Sequence, residues 1–406
     1  MRRPVRLRLP LLGGVGALAV VLAGCGTTTV SPGASALPAG LPPAQALPGP
    51  GGTWATLAMG HFDDPLNTFG ELFFRPGSAS ADGGGWTLTT PPGVASNGGI
   101  MVAADGAGGL TAGFGVSLDL RFSPLADTTD AGATWSGGIL PVALAAVPDA
   151  LAASGPSQRL ALAAAPPVGT GTVLASAGDL STWSRLTSTA AVAAAAGPGC
   201  ALHRLSAVAV SAAGDDLVAG DCAGGGRAAI FRIGADGRPS TPVAIGPSLR
   251  APTSGPVRVD RMVATATGVA VLVSTGSGGS GAPGRVYLAS TSDGGATWTV
   301  SAPYVTGRAV TSAAVTPSGG FAVLFGGTAA AVAEPGAPGA PWRTVATPPV
   351  GTVVLAALPD GSIEALAPTD VQVDVHLLGP SGWRRVQQLA VPVPFGSTSA
   401  GGGGTN

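Results

Sequence analysis

Six tryptophans, each preceded by a turn rich in Gly, Asp or Pro, recur along the chain at Trp86, Trp135, Trp183, Trp298, Trp342 and Trp383. Each opens a short strand-like run, as in Trp298-Thr-Val-Ser and Trp342-Arg-Thr-Val. The intervals are 49, 48, 115, 44 and 41 residues, so the long one spans two units. Its hidden turn lies between Ile230-Phe-Arg-Ile233 and Thr241-Pro-Val-Ala-Ile245, which supply strand, turn and strand without a Trp. Seven units averaging roughly 48 residues are the size of four-stranded propeller blades. With 66 Gly and 37 Pro among 406 residues, extended helices are disfavoured. The expectation is an all-β chain folded as a seven-bladed β-propeller. Two β-sandwiches remain an alternative, because short strands joined by Gly/Pro turns describe those too. Arg261-Met-Val-Ala-Thr-Ala, Val269-Ala-Val-Leu-Val and Phe321-Ala-Val-Leu-Phe read as inner strands. Thr53-Trp54-Ala-Thr-Leu reads as a strand closing the ring against the last blade or as the first inner strand.

Two of the turns are nearly identical. Thr291-Ser-Asp293-Gly-Gly295-Ala-Thr297-Trp298 and Thr128-Thr-Asp130-Ala-Gly132-Ala-Thr134-Trp135 agree at the Thr, Asp, Gly, Thr and Trp positions. Asp accepts hydrogen bonds from amides a few residues on, Gly admits positive φ, and Trp is an apolar anchor for the next strand. Both stretches resemble the Asp-box, or BNR repeat, a structural turn of sialidase-like β-propellers. Ser80-Ala-Asp82-Gly-Gly84-Gly-Trp86 is one residue short, and Ser176-Ala-Gly-Asp-Leu-Ser-Thr182-Trp183 lacks Asp at the third position. The Trp outlasts the polar turn, as expected where the turn serves packing. Trp298 is therefore expected to be a buried pin whose truncation costs more stability than loss of the Asp293 carboxylate.

The N-terminus has the parts of an export signal: Arg2, Arg3, Arg6 and Arg8, then an apolar run from Leu9 to Ala23. Leu22-Ala-Gly-Cys25 resembles the lipobox of bacterial lipoproteins, which implies cleavage before Cys25, a diacylglyceryl group on its sulfur, and a lipid anchor at the extracytoplasmic face of the cell membrane. An ordinary secretory signal with a chance cysteine is the alternative. The expected division is a signal peptide at 1–24, the lipidated Cys and an uncharged Pro/Gly-rich tether at 25–50, the propeller at 51–394, and a disordered tail at 395–406. All 20 basic residues are Arg, and 16 of them follow Cys25 with all 21 acidic residues, giving 16 − 21 = −5. That balance argues against a nucleic-acid partner.

Chemistry-bearing residues are sparse. Cys200 and Cys222 flank a hairpin that turns at Ala212-Ala-Gly-Asp-Asp216, so antiparallel pairing would bring them together as a disulfide; two separate thiols are the alternative. No CxxC, Cys/His cluster or phosphate loop is present, and no cofactor or metal is expected. His61, Asp63 and Asp64 lie in the densest polar stretch, which reads either as a turn or as a cation- or sugar-binding loop. The sialidase resemblance implies an arginine triad, a Tyr nucleophile paired with Glu and an Asp acid/base. Phe231-Arg232-Ile233-Gly234 resembles that family's F-R-I-P motif but lacks the Pro, and Tyr287 and Tyr304 flank the Thr291–Trp298 turn instead of standing where a central nucleophile would. No catalytic residue is assigned. The expected role is a non-catalytic binding or scaffold protein for a protein or carbohydrate ligand, with a divergent sialidase-like glycoside hydrolase as the alternative.

Overall fold

The computed structural model describes residues 44–60, 68–92, 94, 99–106, 108–115, 122–155, 158–164, 171–197, 200–222, 229–240, 257–275, 284–369 and 371–392, all within one compact unit. Among them, strands succeed one another as antiparallel meanders. Blade 1 is β1 (Gln45–Gly49), β2 (Gly52–Gly60), β3 (Thr68–Pro76) and β4 (Thr87–Leu88). Blade 2 is β5 (Ile100–Ala104), β6 (Leu110–Phe114), β7 (Ser123–Thr128) and β8 (Ser136–Leu140). Blade 3 is β9 (Leu151–Ser154), β10 (Gln158–Ala163), β11 (Thr172–Ser176) and β12 (Ser184–Ser188), followed by the helix α1 (Thr189–Ala196), whose first turn is capped by the Ser188 hydroxyl.

Blade 4 is β13 (Leu202–Val210), β14 (Asp216–Cys222) and β15 (Ala229–Ile233), with Pro239 bridged to Ile233 beyond them. Blade 5 is β16 (Val257–Thr265), β17 (Gly268–Thr275) and β18 (Gly284–Thr291), with β19 (Thr299–Val300) and β20 (Tyr304–Thr306) both paired to β18. The pairing of Cys222 with Val257 joins these two blades into one continuous sheet. Blade 6 is β21 (Val310–Val315), β22 (Phe321–Phe325), β23 (Ala329–Ala333) and β24 (Arg343–Val345). Blade 7 is β25 (Val354–Ala357), β26 (Ile363–Pro368), β27 (Gln372–Gly379) and β28 (Gly382–Ala390).

The first strands touch in cyclic order, β1 to β5, β9, β13, β16, β21, β25 and back to β1. The described residues therefore form a seven-bladed β-propeller, with these strands around its axis. Second strands such as β17 and β22 are buried along their whole length because neighbouring blades cover both faces. The outer strand β28 has only exposed and half-buried positions.

Several expectations are corrected. Val269–Val273 and Phe321–Phe325 lie in second strands, and of the three runs read as inner only that beginning at Arg261 is innermost. Thr53–Leu57 belongs to β2, also a second strand, because β1 precedes it at Gln45–Gly49 inside the stretch assigned to the tether. The residues of β1 are apolar enough to line the axis, which a Pro/Gly reading of the tether obscures. The run at 241–245, the signal peptide, Cys25 and the C-terminal tail from 393 onward lie outside the described residues.

The turn between the third and fourth strands of each blade leans on the preceding blade. In blade 5, Thr297 donates its N–H to Asp293 Oδ1 at 2.9 Å and its hydroxyl to Oδ2 at 2.6 Å, and Thr291 Oγ1 accepts from Gly295 N at 3.0 Å. Thr128, Asp130, Gly132 and Thr134 repeat this network in blade 2. In blade 3 Asp179, one position later, takes the hydroxyl of Thr182 at 2.8 Å, so the copy that looks degenerate keeps the same carboxylate–Thr bond. Hydrogen bonds from Thr134 and Thr297 hold the Asp130 and Asp293 carboxyls below their ordinary range. Gly294 has φ +66°, and a Cβ there would meet the side-chain ends of Asp215 and Arg232 of blade 4 at 2.3 and 2.7 Å, so glycine lets the turn approach that blade closely. Blade 6 docks on blade 5 through Gly339 N to Val300 O at 2.8 Å, and blade 7 on blade 6 through Trp383 Nε1 to Ala346 O at 3.1 Å.

Blade 1 docks in the same way on blade 7, which closes the ring without any shared strand. Glu364 on β26 accepts from Gly84 N at 2.6 Å and from Trp86 Nε1 at 2.6 Å, and lies 3.4 Å from Arg75 Nε. Gln387 clasps the Trp86 backbone from both sides, with its Oε1 2.9 Å from Trp86 N and its Nε2 2.8 Å from Trp86 O. Trp86 is 1% exposed. Trp298 and Trp135, expected to be buried pins, are half-buried instead. Trp298 folds back to donate to Gly295 O of its own turn at 3.1 Å, which leaves one ring face near the surface. Truncation Trp86→Ala is thus expected to cost about 3–5 kcal/mol, the range for large aromatic core residues, and Trp298→Ala clearly less. Denaturant melts of both variants check this ordering; an equal or reversed loss would mean that the half-buried turn, not the closing one, limits stability.

Candidate functional site

The inner strands begin at one end of the axis, and three of them carry β-bulges there. Pairing skips Ser206 between Leu205 and Ala207 of β13, Asp260 between Val259 and Arg261 of β16, and Thr311 between Val310 and Ser312 of β21. A bulge leaves one residue out of the ladder and re-aims its side chain. All three skipped residues face one cavity of about 350 Å³ at the mouth of the central channel, within the range of small-ligand sites. Arg204, Asp221, Arg258, Arg261 and Ser312 complete its polar lining; Val147, Pro148 and Val310 add an apolar wall. Ala44, where the described chain begins, stands on the same rim, its carbonyl 3.5 Å from Ser312 Oγ.

The floor is a buried ion pair. Arg261 Nε donates to Asp149 Oδ1 and Oδ2 at 2.7 and 3.0 Å, and its Nη1 reaches the Ala313 carbonyl of β21. Asp149 also takes the Met262 N–H at 2.8 Å, and its own carbonyl accepts from Val208 N at 2.9 Å. One pair thus ties blades 3, 4, 5 and 6 together and separates the mouth from a smaller cavity of about 70 Å³ deeper in the channel. A buried charge pair with this many hydrogen bonds is set in place, and unpairing either partner is costly.

Above the floor, Arg204 Nε meets Asp221 Oδ2 at 2.7 Å, while Asp221 Oδ1 takes the Val259 N–H at 3.2 Å. The Asp260 carboxyl is bonded by the Ser274 hydroxyl, yet its Oδ2 is buried with no hydrogen-bond partner among the described residues, and the same holds for Ser206 Oγ. Burial pushes the Asp260 carboxyl up to about 7. Ser274 and the cations Arg258 and Arg204 oppose that push, and the nearby Asp221 adds to it. Buried polar atoms left open on a cavity wall are what a ligand or ordered water satisfies.

The residues singled out in the sequence lie elsewhere or beyond description. His61, Asp63 and Asp64 fall outside the described residues, between β2 and β3. Arg232 serves the blade 4–5 contact, donating from Nη2 to Gly294 O at 3.0 Å with Asp215 3.6 Å from its Nε. Tyr287 is buried within blade 5, and Tyr304 stacks on Phe325 with ring centroids 4.9 Å apart. Neither tyrosine lines the channel mouth. Cys200 and Cys222 are bonded as a disulfide across the ends of β13 and β14. The mouth cluster was missed by sequence reasoning; its one signal is Arg258-Val-Asp260-Arg261, three charges within a strand whose neighbours are apolar.

No family model and no curated protein matches the chain. Solved structures similar to it include a prolyl endopeptidase (12% identity, TM-score 0.43), matched over 85% of this chain and 47% of that one, so the chain spans about half its length. YCF48 bound to a D1 peptide is similar over 88% of this chain and 95% of that one, at 13% identity and TM-score 0.39. TolB from Acinetobacter baumannii is similar over 83% and 63%, at 10% identity and TM-score 0.39. Superpositions this loose add nothing to the propeller assignment, which rests on the cyclic contacts of the seven sheets.

Proposed function

We propose that the protein is a lipid-anchored, extracytoplasmic β-propeller that binds a protein or carbohydrate ligand at the mouth of its central channel without transforming it. The observation that carries the binding reading is the cavity edged by three bulges, with Ser206 Oγ and Asp260 Oδ2 buried and open to a ligand. The anchor rests on the lipobox-like Leu22-Ala-Gly-Cys25. The structural role of the Asp-box-like turns is supported by carboxylates engaged within their own turns. Two acyl chains would hold such a protein stably at a bilayer, and one would not.

A second reading has one specific observation in its favour. Asp260, protonated up to about pH 7, shares the cavity with a second carboxylate, Asp221, and two carboxyl groups of unlike affinity are the acid and base of glycoside hydrolysis. Against it, both oxygens of Asp221 are engaged, by Arg204 and by Val259 N, which leaves that group poorly free to act.

Three experiments test these statements. Replacing Cys25 by Ser is expected to leave an unlipidated precursor, while the wild-type protein partitions with membranes and carries an acylated N-terminus; a soluble, unacylated mature wild type would end the anchor proposal. Glycan and peptide arrays probed with the wild type and with Ser206→Trp, which fills the cavity, are expected to show ligands retained only by the former. Turnover of a fluorogenic glycoside by the wild type, abolished in Asp260→Asn, would replace the binding reading with the hydrolase.

A further inference from the structure

The charges around the channel mouth do not all find partners among the described residues. Arg204 is joined to Asp221 at 2.7 Å and Arg261 to Asp149 at 2.7 Å. Two groups remain, Arg258 and Asp260, of opposite sign and on the same strand. They feel one another electrostatically, yet no ion pair joins them among the described residues. Arg258 is exposed at the rim, and Asp260 sits deeper; its Oδ2 and the Ser206 Oγ on the same cavity wall are both buried without a hydrogen-bond partner among the described residues. The fixed bulge of β16 separates them, because it turns Asp260 inward between Val259 and Arg261.

We infer that the channel mouth binds a small zwitterion of amino-acid or dipeptide size, its ammonium on Asp260 and Ser206 and its carboxylate on Arg258. This rests on the binding reading above and names the chemistry of its ligand. A lone anion would leave Asp260 unsatisfied, and a lone cation would be repelled by Arg258 and by the part-exposed Arg204. A ligand with both charges completes both groups and leaves the cluster of Asp149, Arg204, Asp221, Arg258, Asp260 and Arg261 neutral. Among the described residues that line the cavity none is aromatic, which fits a compact charged ligand better than a stacked sugar ring. A cavity of about 350 Å³ accommodates such a molecule.

The ammonium requires an ionised Asp260. Its carboxyl titrates at about 7, with Ser274 bonded to it, Asp221, Arg204 and Arg258 acting through space, and Ser206, Thr311 and Ser312 as the groups presented by β13 and β21. Affinity therefore rises with pH through that value: between about pH 6 and about pH 7.5 the ionised fraction grows roughly eightfold, and ligand amine deprotonation trims this to about sixfold.

Isothermal titration of the full chain with L-alanyl-L-alanine, its N-acetyl derivative and its C-terminal amide tests the assignment. The free dipeptide is expected to bind saturably, and each cap to weaken binding about tenfold or more. In Asp260→Asn the acetylated and free forms should bind alike and the pH dependence should vanish. In Arg258→Gln the amide and free forms should bind alike. Asp260→Asn is isosteric and Arg258→Gln leaves a shorter, uncharged polar chain at an exposed position, and thermal melts establish that the variants are folded. No binding of the free dipeptide, binding indifferent to both caps, or sensitivity to one end alone would overturn the inference. If an array ligand is still lost on Ser206→Trp while the dipeptide fails, only the zwitterion assignment falls. If Ser206→Trp alters nothing, the cavity is not the binding site.

Discussion

A ring whose first and last sheets share no strand is closed by packing and by side chains, and here one buried carboxylate stands at the centre of the closure. Glu364 is fully buried, and each partner it has comes from blade 1: the Gly84 amide, the Trp86 indole and the Arg75 guanidinium. Burial of a charge is tolerated only where partners replace its water, so these contacts form together or not at all. The constraint reaches into the backbone of the turn. Gly83, Gly84 and Gly85 all have φ between +79° and +90°, and a Cβ on Gly83 would meet Glu364 Oε1 at 3.1 Å. The one-residue shortening of that turn relative to Thr291–Trp298 goes with this tighter approach.

The mouth of the channel follows from a second rule of the same ring. Each blade supplies one inner strand, so a side chain there faces the inner strands of other blades across a short distance. Arg261 and Asp149, 112 residues apart, meet in this way, and their pair gives the cavity a rigid floor. Bulges in β13, β16 and β21 then add Ser206, Asp260 and Thr311 without disturbing the ladders on either side. Sites built on strands hold their geometry better than sites built on loops.

The blades were legible in the sequence because the signal is local. A Trp after a polar turn marks the fourth strand whatever lies next to it, and the interval from Trp183 to Trp298 resolves into blades 4 and 5 on counting alone. The hairpin of β13 and β14 is equally local, and Cys200 and Cys222 sit at its ends. What was not legible depends on partners remote in the chain. Trp86 and Trp298 look alike in sequence, yet Glu364 and Gln387 cover the first while the second is only half-buried. Sequence density drew attention to His61, Asp63 and Asp64, whereas the structured polar cluster gathers residues of blades 4, 5 and 6 that lie far apart in the chain. Arg258-Val-Asp260-Arg261 would read as a half-exposed strand by alternation, and only the bulge shows which charge turns inward.

The self-contained blades also set an order of events as the chain is made. Nearly all strand pairing is between strands close in sequence, so each blade can form soon after its last residues appear, and local contacts of this kind form fast. The Trp86–Glu364 contact spans 278 residues and has to wait for the whole chain. The entropy of joining such distant points grows only logarithmically with their separation, so the delay is one of timing more than of cost. Until then blades 1 and 7 each present a bare apolar face, and the nearly finished ring is at its most prone to pair with another copy of itself just before it closes.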